Sequence, residues 1–142
     1  MNVTGAEEVK GFLDLLNVKV AKSILRKGLR AGAKTLVASA RSEAPKLTGA
    51  LKRNIKIRGG IRVPKGSVSM SVGVGAKDFT GKTFYAAFVL WGHKVGSKKL
   101  GDARKQVAAN EFLDRAYDAT NQTVVTVATD KWMELIRKEV AA

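Results

Sequence analysis

Apolar residues recur at helical spacing from near the start of the chain. Val9, Leu13, Leu16, Val20 and Ile24 lie three or four residues apart, and Leu25, Leu29, Leu36 and Ala40 carry the stripe on after a small phase slip. The pattern predicts one long helix over residues 6–43, with a cap at Thr4, Glu7 and Glu8 suited to the positive end of the helix dipole, and Arg41 suited to the other. Gly28 and Gly32 interrupt it, four residues apart and so on one face. They read either as a notch for close approach of another helix, a candidate subunit-packing site, or as a bend. At Pro45 the helix must end, because the proline ring drives Ala44 out of helical geometry.

Beyond Pro45 the period changes. Thr48 and Gly49 supply a turn, after which Leu51, Ile55 and Ile57 alternate with Lys52, Asn54, Lys56 and Arg58. This predicts a strand with one buried and one cationic face. Val68, Met70, Val72 and Val74 alternate with Ser69, Ser71, Gly73 and Gly75, a second strand. The Gly59-Gly60 break and the Pro64–Gly66 loop between them imply an antiparallel pair. "FYAAFVLW", residues 84–91, is apolar at both parities and is expected to be buried on both sides, as a strand or a short helix. Residues 92–106, rich in glycine and lysine, predict an exposed basic loop. From 107 to 140 helical spacing returns: Phe112, Leu113, Ala116 and Tyr117 share one face, and Val125, Ala128, Trp132, Ile136 and Val140 mark a final helix. "TVVTV", residues 123–127, is β-branched, but the stripe runs through it.

The expected fold is therefore α+β: a long N-terminal helix, a small antiparallel sheet region over 50–91, and C-terminal helices packed on one side of the sheet. At 142 residues, a single domain is expected. No apolar run approaches the roughly 20 residues that span a bilayer, so no membrane partner is expected.

Charge sharpens the picture. The net charge is +14, and residues 1–14 and 106–142 each sum to −2, which leaves +18 on residues 15–105. Such concentration favours a polyanionic or acidic partner. The candidate residues facing DNA or an acidic partner are Lys52, Lys56, Arg58, Arg62 and Lys65 around the first strand, and Lys94, Lys98, Lys99, Arg104 and Lys105 in the long loop. No aromatic residues interleave with these cations, so the expected contact is with backbone phosphates and not with stacked bases.

Catalytic chemistry finds no constellation. His93 is the single histidine and there is no cysteine, so a transition-metal site lacks ligands and no cofactor is expected. Glu111, Asp114 and Asp118 share helical spacing and read as a solvated face. "GVGAKDFTGKT" ends like a phosphate-binding loop, but Ala76 stands where the first glycine is required. The chain is read as a non-enzyme.

Three segments carry a resemblance: "AKTLVASARSEAPKLTGALKRNIKI" (33–57), "FYAAFVLWGH" (84–93) and "NEFLDRAYDA" (110–119). Together they resemble the tail-completion, or neck, family of long-tailed double-stranded DNA phages of the lambdoid type, whose members are also described as minor tail or head–tail joining proteins. Pro45, Thr48, Gly49, Leu51, Ala86, Gly92, Phe112, Leu113 and Ala116 stand at positions of that pattern. Leu90 replaces its usual glutamate, His93 its threonine, and Asn110-Glu111 its proline. The resemblance implies a structural virion protein of the neck, assembled in the host cytoplasm. It would be a homo-oligomeric ring, six copies favoured over twelve, joining the head connector or stopper to the tail terminator around the DNA. The charge alone supports a different reading, a free-standing nucleic-acid-binding protein without sequence preference.

Overall fold

The computed structural model describes residues 6–14, 16–46, 49–59, 63–64, 66–75, 86–95 and 105–142. Its elements, in chain order, are α1 (Ala6–Asp14), α2 (Val18–Glu43), α3 (Ala50–Asn54), β1 (Lys56–Gly59), β2 (Met70–Gly73), α4 (Ala86–Trp91), β3 (His93–Val95), β4 (Lys105–Val107) and α5 (Phe112–Ala141). The fold is α+β: a long helix early in the chain, small antiparallel sheets, and a long C-terminal helix packed against them.

The helix expected over 6–43 is two helices. The break centres on Asn17, whose Oδ1 accepts a 3.0 Å hydrogen bond from the Lys19 backbone N–H and so caps α2. An asparagine side chain that can satisfy a helix-start N–H competes with continuing the helix through it. From Val18 the helix runs 26 residues and passes through Gly28 and Gly32 unbroken. It ends at Ala44, extended at φ −66° and ψ 138°, as the following proline requires.

The helices α2 and α5 lie antiparallel and form the main packing of the molecule. Ile24 joins Ile136 in one cluster, Gly28 faces Trp132, Gly32 faces Val124 and Ala128, and Glu43 reaches Arg115. The buried face of α2 thus runs Ile24, Gly28, Gly32, Ala33, Val37 and Ala40, through the two glycines. The expected pair of C-terminal helices is one helix of 30 residues. Two of its threonines are satisfied locally: the hydroxyls of Thr120 and Thr126 donate to the carbonyls of Ala116 and Gln122, at 2.6 and 3.0 Å.

Two apolar clusters form at opposite ends of this hairpin. One gathers Val37, Ala40, Ala44, Leu51, Ile55, Ala86, Phe112 and Ala116 where α2 ends and α5 begins. The other joins Val9 of α1 to Ile24 and Ile136, with Leu13, Leu16, Val20, Trp132 and Met133 packed around it.

The corner after Pro45 differs from expectation at its start. Residues Ala50–Asn54 are a helical turn, and the strand begins only at Lys56. Leu51 and Ile55 are both buried. Their spacing of four satisfies a helix face as well as a strand face, so the alternation alone could not separate the two. Gly49 caps this turn in left-handed geometry, at φ 66° and ψ −8°. The antiparallel pair is present, with Lys56 opposite Gly73 and Gly59 opposite Met70.

The segment after residue 85 is the helix alternative, α4, and it is not buried on both sides. Ala86 is fully buried, while Phe88 is 43% and Trp91 74% exposed. The expected loop over 92–106 is a strand pair at its ends, with His93 opposite Val107 and Val95 opposite Lys105. Val107 therefore belongs to a strand, and the last helix starts five residues later. Gly92 makes the entry: its φ is 70°, and a Cβ there would lie 2.5 Å from the Val107 carbonyl oxygen.

Candidate functional site

The cationic residues singled out from the sequence fall into two groups. Around the corner, Lys52 is half-buried on α3 and Lys56 is exposed at the start of β1. Arg58, two residues on, is half-buried, and its guanidinium covers Gly75 so closely that a Cβ there would collide with it. On the second strand pair, Lys94 is exposed and the Lys105 backbone lies in β4. Arg62, Lys65, Lys98, Lys99 and Arg104 lie outside the described residues, as does Thr48 of the turn and the cap expected at Thr4. The structure therefore brings Lys56 and Arg58 onto one short strand, and it sets Lys94 beside the β4 backbone.

The glycines are occupied from within. A Cβ on Gly28 would run into the Trp132 indole, and one on Gly32 would lie 2.6 Å from the Val124 carbonyl oxygen. The indole is fixed by a 3.1 Å hydrogen bond from its Nε1 to the Leu25 carbonyl. The notch expected to pack a neighbouring subunit is filled by α5 of the same chain, because only a residue without a side chain lets that helix come so near.

Between α1, α2 and Trp132 lies a cleft of about 470 Å³, bordered by Val9, Leu13, Leu16, Leu25 and Gly66. Lys10, Asp14 and Lys22 stand at its edge. Its lining is largely apolar.

Among the described residues no group of His, Asp or Glu is placed to hold a metal ion. Glu111, Asp114 and Asp118 are exposed, as a solvated face requires. His93 opens β3 with its ring 5.2 Å from that of Phe88, and its buried Nδ1 has no hydrogen-bond partner. On α5, a 2.6 Å hydrogen bond from Lys131 Nζ, with help from the Lys138 charge, holds the Glu134 carboxyl below the usual range. Both it and its partners are on the surface, so the effect is local.

Sequence reasoning missed the exposed aromatic pair. Trp91 and Phe88 lie three residues apart on α4, next to His93, and large apolar groups this exposed mark contact surfaces. Their run of apolar residues read as core, because nothing in the run itself separates a buried tryptophan from an exposed one.

A comparison of the sequence with known families gives a match. The sequence model of the HK97-gp10-like family, described for bacteriophage HK97 gp10 as a tail component, matches residues 7–89. The chain belongs to this family. The match takes in α1 to β2 and most of α4, whereas β3, β4 and α5 lie beyond it. No curated protein and no solved structure matches the chain. As a member of the HK97-gp10-like family, the protein is a phage tail component, which makes it a structural protein of the virion that contacts other virion proteins. Among the described residues no helix is long and apolar enough to cross a membrane.

Proposed function

We propose that this HK97-gp10-like protein is a ring subunit of the phage neck, joining the head connector or stopper to the tail terminator around the DNA channel, as in tail-completion proteins of lambdoid phages. The observation that carries this reading is the family match over residues 7–89, which includes the Ala-Pro corner and the Thr-Gly-x-Leu turn. A structural and non-catalytic role goes with membership in a tail-component family.

The surface supports the assembly reading. A ring subunit needs two different patches, since each copy meets its neighbour head to tail. Here the α4 end carries exposed Trp91 and Phe88 beside Lys94, and the other end carries an apolar cleft edged by Lys10, Asp14 and Lys22, with Glu7 and Glu8 exposed on α1. In this reading Lys52, Lys56, Arg58, Arg62 and Lys65, with Lys94, Lys98, Lys99, Arg104 and Lys105, turn toward channel DNA or acidic neighbouring rings.

Electron microscopy of a particle containing the protein tests the proposal. The expected result is a closed ring at the head–tail junction, six copies favoured over twelve, formed from a protein that is monomeric or weakly associated when purified alone. Absence of the protein from purified particles would refute it.

A further inference from the structure

The helix α2 carries seven cations, Lys19, Lys22, Arg26, Lys27, Arg30, Lys34 and Arg41, against one acid, Glu43. Six of them, all but the half-buried Lys22, are exposed. At helical periodicity these six fall within an arc of about 100°. The opposite arc is the glycine face that packs on α5. Glu43 does not interrupt the strip, because its carboxylate lies 3.4 Å from Arg115 Nε on α5. The strand pair that flanks α2 brings no acid: β1 reads KIRG and β2 MSVG.

Where β1 comes alongside, the strip becomes a groove of about 370 Å³. Its walls are Arg30, Lys34, Arg41 and Lys56, and its floor is Val37, Ala38 and Ile57. Arg41 is held in place, with Nη2 donating a 2.9 Å hydrogen bond to the Ile55 carbonyl just before β1. The site therefore joins residues 14 apart in sequence across two elements, and one of its cations is fixed in advance.

We infer that this α2–β1 groove and the strip leading from it bind the phosphodiester backbone of duplex DNA. The chemistry favours DNA over an acidic protein. From Lys19 to Arg41 the strip runs about 33 Å, the length of about ten base-pair steps, along which phosphates repeat. Protein partners are gripped by desolvated aromatic and apolar anchors at the centre of a contact. The groove offers only a valine, an alanine and an isoleucine at its floor, and its walls are point charges and guanidinium forks that suit phosphate. Its cations meet phosphates, which carry no sequence information, so binding is independent of sequence. The inference rests on the neck reading only for where the DNA would be met; the binding belongs to the isolated chain.

The test is fluorescence anisotropy of the purified full chain with a labelled duplex of about 30 base pairs, titrated between about 50 and 200 mM salt. Six phosphate contacts give a log–log slope of about −5, equal for duplexes of unrelated sequence. The double variant R30Q/K34Q removes two contacts, and its slope should become shallower by about 2. The control R137Q/K138Q removes the same charge from the far end of α5 and should leave the slope unchanged. Circular dichroism checks that both variants are folded. If R30Q/K34Q fails to fold, K34Q alone should shift the slope by about 1. No binding at the lowest salt, equal effects of the two double variants, or equally tight binding of polyglutamate would overturn the assignment, the last by making the partner an acidic polypeptide. Because no ring is needed, failure here leaves the neck reading standing, and failure to enter particles leaves the groove standing.

Discussion

A glycine in a helix ordinarily costs about 1 kcal/mol relative to alanine, yet the two positions where this chain places glycine on a packed helix face respond in the opposite sense to one on an open face. Gly28 lies under the Trp132 indole, and an added methyl must push the ring away from its hydrogen bond to the Leu25 carbonyl. Gly11, in α1, has open space where its Cβ would be. Thermal or urea unfolding should therefore show G28A destabilised by about 1–3 kcal/mol through overpacking. The same measurement should show G11A stabilised by about 0.5–1 kcal/mol. A stabilised G28A would mean that Trp132 moves at no cost. The sequence displays the spacing of four but not the indole above it, since Leu25 and Trp132 are 107 residues apart.

At the scale of elements, the corner and the start of α5 depend on one another. Phe112 is fully buried in one cluster with Ala40, Ala44, Leu51, Ile55 and Ala86, so its ring belongs to a core shared with α2, α3 and α4. A 2.8 Å hydrogen bond from the Asn110 N–H to the Val89 carbonyl then ties the approach to α5 onto α4. Truncation to F112A should cost about 3–5 kcal/mol, the range for deleting a buried aromatic, read as a lower midpoint in denaturant. By contrast the Arg115–Glu43 pair is about half exposed on both sides and should contribute under about 1 kcal/mol. Element identity was legible where the pattern was long: the stripe of α2 and the helical stripe through residues 123–127 both hold in the structure. It was not legible over Ala50–Asn54, where five residues fit either period, nor in β3 and β4, three residues each, which are too short to show alternation.

For the molecule as a whole, the antiparallel α2–α5 hairpin separates two ends with different chemistry. One end buries Val9, Ile24 and Ile136 beneath the acidic α1, and the other exposes Trp91 and Phe88 beside the cationic second strand pair. Trp91 is 74% exposed, so W91A should leave the melting temperature of the isolated chain within the usual range of surface substitutions, about 0.5 kcal/mol. If the proposed ring contact uses this patch, W91A should lower incorporation into particles, measured by the amount of protein in purified virions against the wild-type chain. A variant that melts early would place Trp91 in the fold; one that incorporates normally would remove it from the contact.

What the sequence determined by itself is what short-range physics writes into neighbouring residues. Pro45 ends a helix because its ring excludes Ala44 from helical geometry, Gly49 turns the chain because it accepts φ 66°, and the Val68–Val74 alternation marks a strand that pairs back on the one before it. The concentration of positive charge was equally plain. Only the tertiary structure decided which surface each pattern meets. It filled the glycine notch with α5, exposed the aromatic pair of α4, and paired β3 with β4 across the loop. It also lined up the α2 cations with Lys56 in one groove. These outcomes depend on contacts between residues far apart in the chain, and local periodicity states that a face is apolar or charged without naming its partner.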